Sequence, residues 1–231
     1  MDLTLVAVSF VVAALLGAAG PAVMRRLPEP PKPDDDKISY AVLADSRLLL
    51  PGLGLAAGIM AAVVATRIEH AELMPVWIVV AGVGAWLAFI DWHTRLLPFA
   101  LVAPTYLVTA VLVGLGALML GDVRVFLDAL VANIVVYVIF RVMYWLADRF
   151  FGGAFGYGDV RLSGVLSLAL GSLGASETVV GMYAGFILGA VLGVLFSRLR
   201  IIDARGYAFG PYMVVGAIIG ATWGPALNGR A

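Results

Sequence analysis

Long apolar stretches with few charges recur along the whole chain and restrict its fold more than any other feature. A helix of about 20 residues, rising about 1.5 Å per residue, crosses the hydrocarbon core of a bilayer. Stretches of this kind, bounded by polar residues, occupy 3–24, 48–66, 74–90, 98–120, 125–147, 161–173, 177–197 and 210–227. A composition of 62% hydrophobic and 13% charged residues is also too apolar for a soluble domain of this size. The sequence predicts an all-α, polytopic helix bundle with about eight transmembrane spans, forming one membrane-embedded domain over residues 1–231.

The distribution of basic residues predicts how the bundle is oriented. If the N-terminus lies outside, the exterior loops hold three basic residues, Arg67, Arg124 and Arg230. The cytoplasmic side then holds eleven: Arg25, Arg26, Lys32, Lys37, Arg47, Arg95, Arg149, Arg161, Arg198, Arg200 and Arg205. Basic residues favour cytoplasmic loops, so the N-terminus is expected outside. The sixth stretch, 161–173, is short, but omitting it would move three arginines outside. A helix that starts in the preceding glycine-rich loop would lengthen it.

The longest polar segment, residues 25–47, predicts a short cytoplasmic loop. It contains Pro-Glu-Pro-Pro-Lys-Pro followed by Asp34, Asp35 and Asp36, a composition that does not bury a core. A run of three aspartates can bind a divalent cation, but a solvated loop is the favoured interpretation.

The absence of cysteine and the absence of a net charge exclude several functions. The chain has no cysteine, which removes disulfides, thiolate metal sites and a thiol nucleophile. With 15 basic and 15 acidic residues it has no net charge that would favour nucleic acid. We therefore expect membrane lipid, and no nucleic acid, among its partners.

Two aspartates at the edges of spans carry the strongest chemical signal, because carboxylates are costly in a membrane. Asp91 ends the third span in Phe-Ile-Asp-Trp-His-Thr-Arg-Leu-Leu-Pro, and Asp159 precedes the sixth in Phe-Gly-Tyr-Gly-Asp-Val-Arg-Leu. Two complete spans lie between them, so both fall on the same membrane face. The distribution of basic residues predicts that this is the cytoplasmic face.

Two adjacent carboxylates suit an aspartic peptidase. They cannot both ionise cheaply, so one holds a proton while the other removes a proton from an attacking water. This chemistry needs no metal and no cofactor. Gly156 and Gly158 lack a Cβ, so they can adopt positive φ and approach the partner aspartate or a substrate strand closely. A simpler alternative is that Asp159 only caps a helix as its N-cap residue.

Taken together, the motifs resemble the type IV leader peptidases, or prepilin peptidases, which are membrane aspartic proteases of the Gly-x-Gly-Asp class. The resemblance rests on the stretch from Phe89 to Pro98 with Pro104 beyond it, on Phe155 to Leu162, and on the later Phe209-Gly210-Pro211-Tyr212. It covers most of the chain and implies that Asp91 and Asp159 are catalytic.

The resemblance also implies a substrate and a location. Such enzymes cleave the short basic leader of type IV prepilin-like precursors, whose leader adjoins a hydrophobic helix, at the cytoplasmic face of the bacterial inner membrane and typically just after a glycine. The family usually has Asp or Asn where this chain has Phe99, which bears on substrate positioning. Many bacterial members also carry a cysteine-rich domain and act as N-methyltransferases. Since this chain has no cysteine, we expect peptidase activity without methylation.

The sequence leaves open the roles of several other residues and two rival functions. His93, Arg95 and Arg161 can contact substrate or tune the aspartates, although basic residues at a cytoplasmic helix end are expected from topology alone. Gly185 and Gly189 permit close helix packing, within the chain or between copies.

The rival functions are a proton-coupled transporter, which would place carboxylates near the bilayer midplane, and a non-enzymatic assembly factor for a pilus or secretion machine.

Overall fold

A computed structural model describes residues 2–29, 38–150, 155–199 and 208–228, and within these ranges the fold is entirely helical. The helices are α1 (Leu3–Ala18), α2 (Gly20–Met24), α3 (Tyr40–Leu43), α4 (Leu49–Ala65), α5 (Met74–Thr94), α6 (Phe99–Leu120), α7 (Val123–Phe150), α8 (Tyr157–Gly171), α9 (Ala175–Arg198) and α10 (Gly210–Trp223). Short 3-10 turns at Ala71–Leu73 and Gly224–Asn228 precede α5 and follow α10.

Five helical segments in the described ranges are long and apolar enough to cross a membrane. They are Leu3–Met24, Ala71–Thr94, Phe99–Leu120, Val123–Phe150 and Ala175–Gly193. The predicted all-α, multi-pass membrane architecture is therefore confirmed. The remaining three predicted spans fall on the shorter helices α4, α8 and α10, of 17, 15 and 14 residues.

Among the helix boundaries that differ from the sequence prediction, two concern the aspartates. α5 continues to Thr94, beyond the predicted end at residue 90, so Asp91 lies inside its last turn. α8 begins at Tyr157, four residues before Arg161, as the glycine-rich loop allowed. Both aspartates therefore lie on helices, because each helix continues past the point where its apolar stretch ends.

The bundle buries α5, α8 and α10 and surrounds them with the other long helices. The most apolar window of α5 is 72% buried, whereas those of α1 and α7 are 22% buried. Apolar side chains on the outer helices are widely exposed, such as Leu15 on α1, Leu107 on α6 and Ile187 on α9. A bilayer solvates such side chains, so exposure here marks the lipid-facing surface.

The predicted loop at residues 25–47 is partly folded. Tyr40 and Leu43 on α3 are buried, and the Tyr40 N–H donates to Glu29 Oε1 at 2.8 Å. Burial and the nearby Glu29 carboxylate raise the pKa of Tyr40. Arg25 forms an ion pair with Asp45 at 3.2 Å. Residues 34–36, the predicted triple-aspartate run, lie outside the described residues.

Glycines bring α9 and α10 into backbone contact. A Cβ on Gly216 would lie 2.4 Å from the Gly185 nitrogen and 2.6 Å from the Gly181 carbonyl oxygen. A Cβ on Gly185 would itself lie 3.3 Å from the Met213 Cα. The predicted packing role of Gly185 within the chain is confirmed.

Gly216→Ala is expected to destabilise the bundle. The added methyl would meet backbone atoms that cannot rotate away, and overpacking of this kind costs about 1–3 kcal/mol. Gly52→Ala on α4 is the matched control, since no atom lies within 4 Å of the added Cβ. Thermal unfolding in detergent should show a lower midpoint for Gly216→Ala and an unchanged or slightly higher one for Gly52→Ala. Equal midpoints would show that the α9–α10 contact is not this tight.

Candidate active site

Asp91 is buried at the end of α5, with 4% of its surface exposed. The helix stops immediately afterwards because Arg95 adopts a left-handed conformation, with φ of 55°, while its N–H still donates to the Asp91 carbonyl at 2.7 Å. The chain then turns through Leu97 and Pro98, and a residue preceding proline avoids helical geometry. The Asp91 side chain is thereby held inside the bundle at one end of α5.

Asp159 is buried in the first turn of α8, with 8% of its surface exposed. Gly156 is the N-cap residue, so the alternative that Asp159 itself is the N-cap is wrong. The Gly156 N–H instead donates a hydrogen bond to the Asp159 carboxylate, as an acidic side chain in the first turn can accept from its cap.

The two glycines of the motif act through close approach rather than through positive φ. Gly156 has φ of −79°, a value open to any residue. A Cβ on Gly158 would lie 2.9 Å from Leu97 Cβ, and one on Gly156 would lie 3.1 Å from Asp159 Oδ2. Gly158 therefore lets the start of α8 pack against the turn that follows α5.

This packing places Asp91 and Asp159 at one site. α5 and α8 are in contact, and the charge of Asp91 acts on the carboxyl group of Asp159. Adjacent buried carboxyls share protons as a pair, because two negative charges at short range in a poorly solvated site repel strongly. Such a pair can act as general base and general acid toward one water molecule.

A third helix end completes the surroundings of Asp91. The Gly210 N–H, at the first position of α10, donates to Asp91 Oδ2 at 2.8 Å. The first N–H groups of a helix have no partner inside it and attract negative charge. Pro211 follows and has no N–H, so Gly210 supplies the donor. A Cβ on Gly210 would lie 2.8 Å from the same carboxylate oxygen.

Four phenylalanines connect the residues that precede α8 and α10 to α7 and α9. Phe155 and Phe209, which precede α8 and α10, have ring centroids 6.0 Å apart. Phe140 on α7 lies 5.8 Å from Phe155, and Phe186 on α9 lies 5.3 Å from Phe209. Aromatic pairs at these separations attract each other beyond their burial, so the cluster fixes the starts of α8 and α10 relative to α7 and α9.

The other predicted site residues lie around the aspartates. His93 and Arg95 are exposed, and the His93 Nδ1 lies 2.8 Å from the Phe89 carbonyl oxygen. Arg161 is half-buried, with its guanidinium 4.6 Å from the ring centroid of Phe99 and 4.6 Å from that of Tyr157. In the described ranges, no three His, Asp or Glu side chains are grouped as metal ligands would be. Two cavities, of about 540 and 400 Å³, lie between outer helices rather than at the aspartates.

Sequence reasoning missed three polar contacts near the site. The Phe-Gly-Pro-Tyr segment was recognised as a motif, but nothing in it showed that the Gly210 N–H reaches Asp91. Asn133 on α7 bridges two helices, donating to the Gly164 carbonyl oxygen at 2.6 Å and accepting from the Tyr106 hydroxyl at 2.6 Å. Its amide in an apolar span was a usable signal, because buried amides in membranes need partners. The charge of Arg141 in the same span was a similar signal.

Comparison with known proteins gives the family. The family model for the type IV leader peptidase family matches residues 78–219, which is more than half of the chain and includes both aspartates and Gly210. No curated protein and no solved structure gave a match. The chain, a multi-pass membrane protein with a buried pair of aspartates at one end of its bundle, belongs to the type IV leader peptidase family.

Proposed function

We propose that the protein is an intramembrane aspartic endopeptidase that removes the basic leader of type IV prepilin-like precursors. The observation that supports this most directly is the placement of Asp91 and Asp159 at adjoining helix ends, both buried and within electrostatic range. Membership of a leader peptidase family supports proteolysis. Asp91 and Asp159 are the proposed catalytic residues. Gly156 and Gly158 support the start of α8, and His93, Arg95 and Arg161 are available to substrate.

In the proposed reaction, the singly protonated pair handles both protons of peptide hydrolysis. The ionised carboxylate removes a proton from water while the water oxygen attacks the scissile carbonyl carbon. The protonated carboxyl donates toward the carbonyl oxygen, which gives a tetrahedral intermediate with two hydroxyl groups. Collapse of this intermediate breaks the C–N bond. The leaving amine takes the proton of the protonated carboxyl, while one hydroxyl of the intermediate gives its proton to the other carboxylate, so the pair is singly protonated again. The Gly210 N–H keeps Asp91 oriented throughout.

The proposed orientation follows from the distribution of basic residues. Eight spans with the N-terminus outside would place both aspartates on the cytoplasmic side of a bacterial inner membrane. A precursor with a basic leader and an adjoining hydrophobic helix would be held in that membrane by its helix. Its leader junction would then lie at the level of the two aspartates.

A cleavage assay with a defined precursor tests the function. Purified protein in lipid vesicles is mixed with a synthetic precursor that has a basic leader, a glycine at the junction and an apolar helix, and the products are identified by mass spectrometry. We expect one cut after the junction glycine and no cut when that glycine is replaced by a bulky residue. In the presence of S-adenosylmethionine, the new N-terminus should stay unmethylated. Intact, inserted protein that cleaves no leader-bearing precursor would contradict the proposal and favour a transporter or an assembly factor.

The rate of cleavage should have a bell-shaped dependence on pH. The active form has one proton on the pair, so activity rises as the first proton leaves and falls as the second leaves. We expect kcat/KM to show both limbs, with each limb falling about tenfold per pH unit beyond its bend. Circular dichroism over the same range controls for unfolding. A flat profile with intact protein would argue against a shared proton.

A further inference from the structure

Two arginines next to the start of α8 have no acidic partner among the described residues. Arg141 on α7 and Arg161 on α8 both lie against Tyr157, with guanidinium carbons 5.2 and 4.6 Å from its ring centroid. The ion pair found in the described ranges is the one between Arg25 and Asp45. Arg141 lies within the membrane-length helix Val123–Phe150, where an uncompensated charge is costly.

Aromatic rings hold both guanidinium groups without neutralising them. Arg141 also lies 5.4 Å from the ring centroid of Tyr144, and Arg161 lies 4.6 Å from that of Phe99. Cation–π contacts fix the planes of the two groups but leave N–H donors free for an anion. Both charges act on the hydroxyls of Tyr137 and Tyr157, which lie 3.4 Å apart. The four groups therefore form one polar cluster beside the start of α8.

An apolar groove leads away from this cluster. Its volume is about 180 Å³, and its lining is mainly apolar, chiefly from α6, with Tyr137 of α7 and Arg161 of α8. The lining residues are Phe99, Val102, Ala103, Tyr106, Tyr137 and Arg161. A groove of this kind accepts part of an acyl chain, while the two arginines accept an anionic oxygen group. An amphiphile with a phosphate head and an apolar tail matches both halves of the site.

We propose that Arg141 and Arg161 bind the phosphate of an anionic phospholipid, whose acyl chain lies in the groove between α6 and α7. Guanidinium and phosphate groups form short, charge-assisted hydrogen bonds with well-matched geometry. The lipid supplies the negative charge that the described side chains do not supply. The site adjoins the helix that carries Asp159, but its occupation does not depend on the proposed peptidase reaction.

Lipid titration of the whole purified protein tests the proposal. The protein in detergent is titrated with phosphatidylglycerol or with phosphatidylcholine of equal chain length, and bound lipid is counted by native mass spectrometry. We expect one phosphatidylglycerol to bind at least about tenfold more tightly than phosphatidylcholine. Arg141→Gln and Arg161→Gln should each weaken phosphatidylglycerol binding roughly tenfold. Arg149→Gln, an exposed arginine in the last turn of α7, is the matched control and should bind as wild type does.

Three outcomes would overturn the proposal. The first is equal phosphatidylglycerol affinity in wild type and in the double Gln variant. The second is displacement of the lipid by equimolar glycerol phosphate, because a soluble head group should not replace a lipid held by its chain. The third is unchanged lipid binding in Gln variants that have a raised KM for precursor, which would assign the anion to the substrate. Arg141→Lys and Arg161→Lys control for misfolding, since they keep the charge and should keep most of the preference for phosphatidylglycerol.

Discussion

Gly210→Ala is expected to lower precursor cleavage about a hundredfold while leaving the protein folded and inserted. The added Cβ would lie 2.8 Å from Asp91 Oδ2, so the carboxylate must move to make room. Displacing a catalytic group by about 1 Å costs on the order of a hundredfold in rate, because the reacting atoms no longer align. The N–H donor is kept in this variant, so the loss comes from the position of Asp91. Single-turnover cleavage in vesicles measures it.

The kinetic pattern separates a positioning role from general damage to the fold. A displaced Asp91 should lower kcat with little change in KM, and it should shift the pH profile, because the hydrogen bond to the carboxylate is altered. Gly52→Ala, with no atom within 4 Å of its added Cβ, should retain the wild-type rate and profile. If Gly210→Ala keeps the wild-type kcat, the contact between the α10 terminus and Asp91 has no part in catalysis.

The sequence predicted the features of the fold that depend on local composition. Apolar stretches predicted the long helices, because a span needs a continuous run of apolar residues. The shorter helices were harder to judge. α8 carries Asp159, Arg161 and two serines, and it tolerates them because neighbouring helices shield most of its length. That α4, α8 and α10 also cross the membrane stays a prediction, which rests on the distribution of basic residues and on the number of spans between successive loops.

The site was predictable in its residues but not in its contacts. Two predicted spans separate Asp91 from Asp159, which indicated that both lie on the same membrane face. In the structure the two side chains lie within electrostatic range of each other. Gly210 lies 119 residues beyond Asp91 in the chain, and no local pattern shows that its N–H reaches the carboxylate. Positive φ at Gly156 was a wrong expectation, because glycine serves there to make room rather than to form a left-handed turn.

Phe99 lies at a position whose contacts the sequence alone did not show. The resemblance to the family implies Asp or Asn here, and either would offer an oxygen to a neighbour. Here the ring of Phe99 lies against the guanidinium of Arg161. A ring attracts the cation without neutralising it, so Arg161 keeps its charge for another partner.

Asp91→Asn and Asp159→Asn are each expected to reduce precursor cleavage by at least about a thousandfold. An amide neither accepts a proton from water nor donates one to the leaving amine at neutral pH. The size of Asn matches that of Asp, so the buried site keeps its packing. Groups that act as a unit do not contribute additively, so the double variant should be little slower than either single one.

The most direct test of the aspartate pair compares four proteins in one assay. The four proteins are wild type, Asp91→Asn, Asp159→Asn and Asp128→Asn, reconstituted in vesicles at equal amounts. Cleavage of one leader-bearing precursor is measured under single-turnover conditions. Asp128 is exposed on α7 and serves as the matched control. We expect full activity in wild type and in Asp128→Asn, and loss of activity in Asp91→Asn and in Asp159→Asn. If wild type cleaves the precursor and either Asp91→Asn or Asp159→Asn keeps the full rate, the two-aspartate mechanism is contradicted.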